Sequence, residues 1–163
     1  MAFLTPRQPK KLSTKMLCGI ALIAGSATTT LVQAEDPPLV VAHNMVNAWN
    51  DLDVPAIANL FAEDGRFQSM MQPEATVGRA NIEAQFAGLL NGASALELKL
   101  VNIAVNNDVV FLERVDVFTF RGKEGSVPVV AVLEIRDGKV QEWREYFDRA
   151  SLLSEMGVEE GAH

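Results

Sequence analysis

The feature that most limits what this chain can fold into is the alternation that fills its second half. Leu96, Leu98 and Leu100 alternate with Glu97 and Lys99, the period-two signature of a strand with one buried face. Val109–Phe120 predicts a long strand, Arg121–Gly125 a turn and Val127–Ile135 its hairpin partner. Asp137-Gly138 is a tight-turn dipeptide leading into a last strand, Lys139–Phe147. Four consecutive strands joined by short turns predict an antiparallel meander.

The segment before the meander reads differently. Pro37-Pro38 opens a helix in which Leu39, Ala42, Val46 and Trp49 recur at spacings of three and four. Asp51 or Asp53 can cap a second helix, Val54–Phe61, which Glu63-Asp64-Gly65 would end. A short extended piece, Arg66–Met71, follows, with Pro73 interrupting it. A third helix, about Ala80–Leu90, presents Ile82, Phe86, Leu89 and Leu90 and stops at Asn91-Gly92. Asp148 can cap a terminal helix, Arg149–Met156. The expected class is α+β: a curved, mainly antiparallel sheet with three to four helices enclosing an apolar pocket open at one end.

Charge and length narrow the function. The 163 residues carry a net charge of −7, unevenly placed. Four of the 14 basic residues (Arg7, Lys10, Lys11, Lys15) precede Glu35 and every acidic residue follows from it, which leaves −11 over residues 35–163. Tracking a phosphate backbone needs a basic stripe, so nucleic acid is excluded as a partner. Residues 1–34 read as a signal peptide: basic residues up to Lys15, an apolar run from Met16 to Ala24, then small and polar residues to Ala34. That run is far short of the roughly 20 residues that span a bilayer. Cleavage after Ala34 and a periplasmic or secreted product are expected, with no membrane association afterwards; the alternative is an uncleaved anchor. Cleavage would remove Cys18, the single cysteine, and with it thiol and disulfide chemistry. Residues 35–163 are then expected to form one domain.

Three charges do not fit their strands. Val110, Leu112, Arg114, Asp116, Phe118 and Phe120 share one face of the long strand. Trp143, Glu145 and Phe147 share one face of the last. Unpartnered buried charge costs several kcal/mol, so two carboxylates and a guanidinium on apolar faces point to mutual pairing. They are either a site inside the pocket or a cross-strand salt bridge on a solvated or dimer-facing surface. His43 and His163 are too far apart in sequence for an ordinary zinc cluster. There is no Gly-x-Ser-x-Gly elbow and no glycine-rich phosphate loop. No metal or cofactor is expected.

Glu113-Arg-Val-Asp116, followed by Trp143-Arg-Glu-Tyr-Phe-Asp148, resembles the limonene-1,2-epoxide hydrolase family, whose pattern is Arg-x-Asp on one strand and Trp-Arg-Asp-Tyr-Phe-Asp on the next but one. Phe61-Ala-Glu-Asp64, Phe67-Gln-Ser-Met70 and Gly78-Arg79 match its order and spacing. The resemblance runs roughly from Val40 to Met156 and extends to the nuclear transport factor 2-like cone fold. That superfamily holds ketosteroid isomerase-like and polyketide cyclase-like enzymes and noncatalytic binding modules.

The resemblance implies an epoxide and water as the substrates, and roles for particular residues. Asp116 resembles the general acid that protonates the epoxide oxygen, and Arg114 the bridge between carboxylates. Glu145 stands where an aspartate activates water, one methylene longer. Phe67 and Ser69 stand at the tyrosine and asparagine positions that hold the water, so the phenol is lost and only a short hydroxyl remains. Met70, Leu112, Phe118, Trp143 and Phe147 are the expected apolar lining, suited to a hydrophobic epoxide. The changed water-holding positions leave two other readings open: an exported noncatalytic binding module, and a lyase or isomerase using the same carboxylates.

The outward side of the strands is apolar too, through Val109, Phe111, Val115, Val117, Val130 and Val132. A sheet apolar on both faces must cover both, so a homodimer is expected.

Overall fold

Capping residues and turn chemistry place the elements. The computed structural model describes residues 38–158. The expected signal peptide, its cleavage site and Cys18 lie outside the described residues. Helix α1 (Pro38–Asn50) buries Ala42, Met45, Val46 and Trp49, while Leu39 is exposed. Asp53 caps α2 (Val54–Leu60) by accepting from the Ala56 amide at 3.0 Å. Phe61, expected as the end of that helix, is instead extended and fully buried. It opens β1 (Phe61–Gln68), so Glu63-Asp64-Gly65 lies inside a strand. A register shift between Phe61 and Arg66 accommodates those polar residues as an irregularity in the pairing. A two-residue β2 (Thr76–Val77) precedes α3 (Arg79–Leu90).

The meander follows as β3 (Ala93–Asn106), β4 (Val109–Phe120), β5 (Lys123–Arg136) and β6 (Lys139–Tyr146), then α4 (Arg149–Met156). Asp148 caps α4 by accepting from the Ser151 amide, which holds its carboxyl below the usual value. The turn expected over Arg121–Gly125 is shorter, because Arg121 and Gly122 both take positive φ, 50° and 81°. Two such residues close a hairpin alone, and Asp137-Gly138 repeats the solution. Gly125 therefore lies in β5 opposite Phe118, where a Cβ would come within 2.9 Å of the Phe118 ring.

The strands form one six-stranded sheet in the order β2-β1-β6-β5-β4-β3, antiparallel except where β1 runs parallel to β6. This is the curved, mainly antiparallel sheet with helices expected from the sequence. No helix among the described residues is long and apolar enough to cross a membrane. The main core packs α1–α3 on the sheet around Phe61, Phe67, Phe86 and Trp143. Their rings meet mostly edge-on or tilted, with Phe67–Phe86 centroids at 4.7 Å and Trp49–Phe86 at 4.9 Å. Such pairs add about 0.5–1.5 kcal/mol each beyond the area they bury. A second, smaller cluster gathers Phe118, Phe120, Val127 and Val129 under Phe147, Leu152 and Met156. Along β4 the two clusters meet at Arg114 and Asp116, so a polar seam separates them.

Candidate active site

The alternation of β4 turns Arg114 and Asp116 inward between Leu112 and Phe118. Glu145 reaches the same point from β6, two strands away. Arg114 is 2% exposed and donates to both carboxyls. Its Nε meets Asp116 Oδ1 at 2.7 Å and its Nη2 meets Asp116 Oδ2 at 3.1 Å. The same Nη2 donates to Glu145 Oε1. The surface salt bridge raised by the strand pattern is thereby replaced by a trio inside the cone.

Burial is the largest influence on both carboxyls and pushes both pKa values up; the Arg114 charge opposes it. Asp116 adds a further upward push on Glu145 by like-charge repulsion. A smaller downward pull comes from the Trp143 indole N–H, which lies near Glu145 yet completes no hydrogen bond. Arg114 stays charged: its pKa is raised because the two carboxylates outweigh the burial that would lower it. One guanidinium balances one carboxylate, so in a desolvated setting the pair favours holding a single proton.

The trio lies in the wall of a cavity of about 220 Å³. That is below the roughly 300–1,000 Å³ of drug-sized pockets, so it suits a small ligand. Phe67, Ser69, Phe118 and Phe147 line it as expected. Ser69 is buried, and its Oγ accepts from the Met71 amide at 3.1 Å, which leaves its own O–H free to donate. Three lining assignments are corrected. Met70 is 41% exposed, because the turn after β1 points it outward and gives its place to Met71. Leu112 is fully buried in the main core and does not reach the cavity. Trp143 is also core, enclosed by Trp49, Phe61 and Phe67, with the Arg114 guanidinium 5.8 Å from its ring centroid.

Two further lining residues, Trp49 and Gln85, were not singled out from sequence. Gln85 was legible: it sits at helical spacing from Ile82 and Leu89, a polar residue on an apolar stripe. Leu152 and Met156 of α4 close the far end. Among the described residues no three His, Cys, Asp or Glu side chains group in a way that could hold a metal ion.

The protein is thus a cone-shaped sheet wrapped by helices around a pocket with ionisable groups in its wall. Residues 42–143 match the SnoaL-like domain, and the chain belongs to that family. Solved structures agree on the fold. A hypothetical protein with a ketosteroid isomerase-like fold from Catenulispora acidiphila, in complex with trimethylamine, superposes with a TM-score of 0.67 at 21% identity, over 73% of this chain and 93% of its own. An LEH-like epoxide hydrolase of M. tuberculosis gives 0.64 at 18% identity, over 73% and 88%. An NTF2-like protein from Burkholderia pseudomallei gives 0.67 at 15%, over 74% and 98%. These likenesses show the fold, and the chemistry has to be argued from the site.

Proposed function

We propose that this chain is a cofactor-independent epoxide hydrolase that opens a small hydrophobic epoxide to a vicinal diol in one step. The observation that carries the reading is Arg114 joining Asp116 and Glu145 in the wall of an otherwise apolar cavity. Opening an unactivated epoxide needs a push from water and a pull on the oxygen, hence two carboxyls in opposite protonation states. Glu145 takes a proton from water as the water oxygen bonds to carbon. The carbon–oxygen bond of the ring breaks, and Asp116 gives its proton to the departing oxygen. Arg114 neutralises whichever carboxylate is charged.

Arg114 grips Asp116 at two points and Glu145 at one, so in the empty site the charge rests more readily on Asp116. An epoxide oxygen can only accept. Once desolvated against Asp116 it favours the protonated carboxyl, and substrate binding moves the proton to where the reaction needs it. A panel of small cyclic and linear epoxides tests the proposal. Diol formation that Asp116→Asn abolishes is the expected result; a well-folded protein that hydrates no member of the panel overturns it.

The second reading, an exported binding module, draws support from Phe67 and Ser69, where the resembling family keeps a water-holding phenol and amide. It expects apolar ligands to bind one-to-one without conversion. Lyase or isomerase chemistry on the same carboxyls is separated by product analysis in the same screen.

Assembly and export belong to the same proposal. Phe111 and Val130 are exposed on the outer sheet face, joined there by Val101 and Tyr146, whereas Val132 of that face is buried opposite Arg144. A second copy covering this patch makes a homodimer. Sedimentation should give twice the monomer mass, with Val130→Lys shifting it to the monomer. Export predicts that the mature protein begins at Glu35, which N-terminal sequencing reads directly.

A further inference from the structure

The cavity is lopsided. Arg114 and Asp116 form one part of its wall, and the part farther along β4 is hydrocarbon, made of Phe118, Phe120, Val127, Leu152 and Met156. The breadth of that apolar end decides which ligand tails it can take.

The two aromatic rings at this end both rest on glycine. Phe118 is paired with Gly125 across β4 and β5, and a Cβ at Gly125 would lie 2.9 Å from two atoms of the ring. A Cβ at Gly92 would lie 3.1 Å from the Phe120 ring. Gly92 has a φ of 128°, so its backbone alone calls for glycine. Gly125 is not among the glycines of positive φ, so an ordinary residue could adopt its backbone. Glycine inside a strand weakens the strand and marks a place where another group comes close. Here that group is the Phe118 ring. Further along the same face of β5, Val127, Val129, Ala131 and Leu133 are all buried, and the row of side chains breaks off at Gly125.

The surroundings of the ring decide what an added methyl would do. Carbon atoms pack at about 3.5–4.0 Å, so the ring or its neighbour must give way by at least about 0.6 Å. Glu155 Cβ of α4 stands 3.0 Å from the same point. That helix is tied to β5, where Lys123 Nζ donates to the Ser154 carbonyl at 2.6 Å and the Ser126 amide to Glu155 Oε2 at 3.4 Å. Asp148 and Gly157 cap its two ends. A ring that turns about two side-chain bonds yields more easily than a tied and capped helix. The other cross-strand neighbour of the ring is Leu96 of β3, and Leu96 and Phe118 both line the cavity. The room the ring can move into is therefore the cavity itself.

We propose that Gly125 determines specificity: by letting the Phe118 ring lie back against β5, it sets how broad a hydrocarbon group the apolar end of the cavity admits. It acts through Phe118 and is a positioning residue. That the group belongs to an epoxide rests on the hydrolase reading above; the breadth of the cavity does not.

Hexyloxirane and cyclohexyloxirane share a reacting end and a carbon count and differ in the breadth of the tail. Gly125→Ala should move the ratio of their kcat/KM values about tenfold toward hexyloxirane, mostly by raising KM for the cyclohexyl compound, an effect within the range for overpacking an apolar interior. Phe118→Leu removes the ring and should move the ratio the other way. The double variant should return to within about threefold of the parent, a rescue that a general loosening of the strand would not give. Ratios within twofold of the parent in both single variants overturn the proposal. So does a double variant no closer to the parent than Gly125→Ala. If Gly125→Ala does not fold, the double variant should, because the ring that the methyl strikes is gone. If neither folds, α4 requires the glycine, and the proposal falls.

A second readout needs no turnover. Cyclohexylmethanol and heptanol carry matching tails with no oxirane, and Trp49 in the cavity wall reports their binding by fluorescence. Their dissociation constants should show the same shift in Gly125→Ala. If that shift appears while no epoxide is hydrated, the breadth determinant stands and the hydrolase reading falls. If epoxides are hydrated and neither ratio moves, the hydrolase stands and Gly125 does not set breadth. A parent that binds neither alcohol and hydrates no epoxide sinks both.

Discussion

Arg144 and Glu145 are neighbours in the chain, yet they belong to two arginine–carboxylate clusters on opposite faces of the sheet. On the inner face Arg114 joins Asp116 and Glu145; on the outer face Arg144 joins Glu134 and Glu142. Each is centred on one guanidinium between two carboxylates, the outer one extended by Arg66 at 3.6 Å from Glu142, and each spans neighbouring or nearly neighbouring strands. The difference is water. Arg144 is 27% exposed and Glu134 37%, so solvent screens their attraction and hydrates whatever pairing leaves over. Arg114 is 2% exposed, and burial there raises both acids. The same kinds of side chain thus make a solvated cross-strand ladder on one face and a proton-holding pair on the other.

The largest effect that would sharpen this contrast is on turnover. Asp116→Asn should lower epoxide hydration by about 10³-fold, within the range for losing a general acid. Glu142→Gln on the outer face should leave the rate within twofold, measured on the same substrate. Comparable losses from both would erase the distinction.

Stability should separate the clusters next. Arg114→Met strands two buried carboxyls and is expected to cost about 3–5 kcal/mol, whereas Arg144→Met should cost about 1 kcal/mol or less. Urea unfolding at neutral pH measures both.

The pH response follows from the sign of the shifts. The inner carboxyls bind protons more tightly in the folded protein than in the unfolded chain, so their contribution is full below the unfolded values and is lost as pH rises through the folded ones. The wild type should therefore lose stability, relative to an Asp116→Asn/Glu145→Gln double variant, as pH rises through that window. Turnover needs one proton on the pair, so its profile should be bell-shaped, with the alkaline limb above the ordinary carboxylate range. A flat difference in stability across that window would place the pair in solvent after all.

The smallest expected effect is a gain. Phe67→Tyr puts a phenol into the cavity wall and should raise kcat by about tenfold, the gain from one added hydrogen bond to the reacting water. A much larger gain would mean that the natural site holds its water poorly.

What the sequence determined by itself is the four-stranded meander and which of its residues share a face. Period-two alternation puts Arg114 and Asp116 on one face with apolar neighbours and Glu145 on the opposite face of its strand from Arg144, because successive side chains on a strand must point to opposite sides; that the shared face looks into the pocket and not to solvent was left to the tertiary structure. Turn chemistry at Asp137-Gly138 and the cap at Asp148 were readable for the same local reason. The start of β1 was not, since Phe61 continues a helical apolar pattern and only its place beside β6 draws it into the sheet. The lining was legible in part. Phe118 and Phe147 face the cavity, but Leu112 and Trp143 share those same strand faces and end in the core, because helices α1–α3 cover one end of the sheet and leave the other open. Depth along a face depends on what packs above it, and no repeat along the strand encodes that. Tertiary structure alone also put Trp49 and Gln85, from two different helices, into the wall of one cavity, since which side chains border a pocket is decided by every neighbour at once.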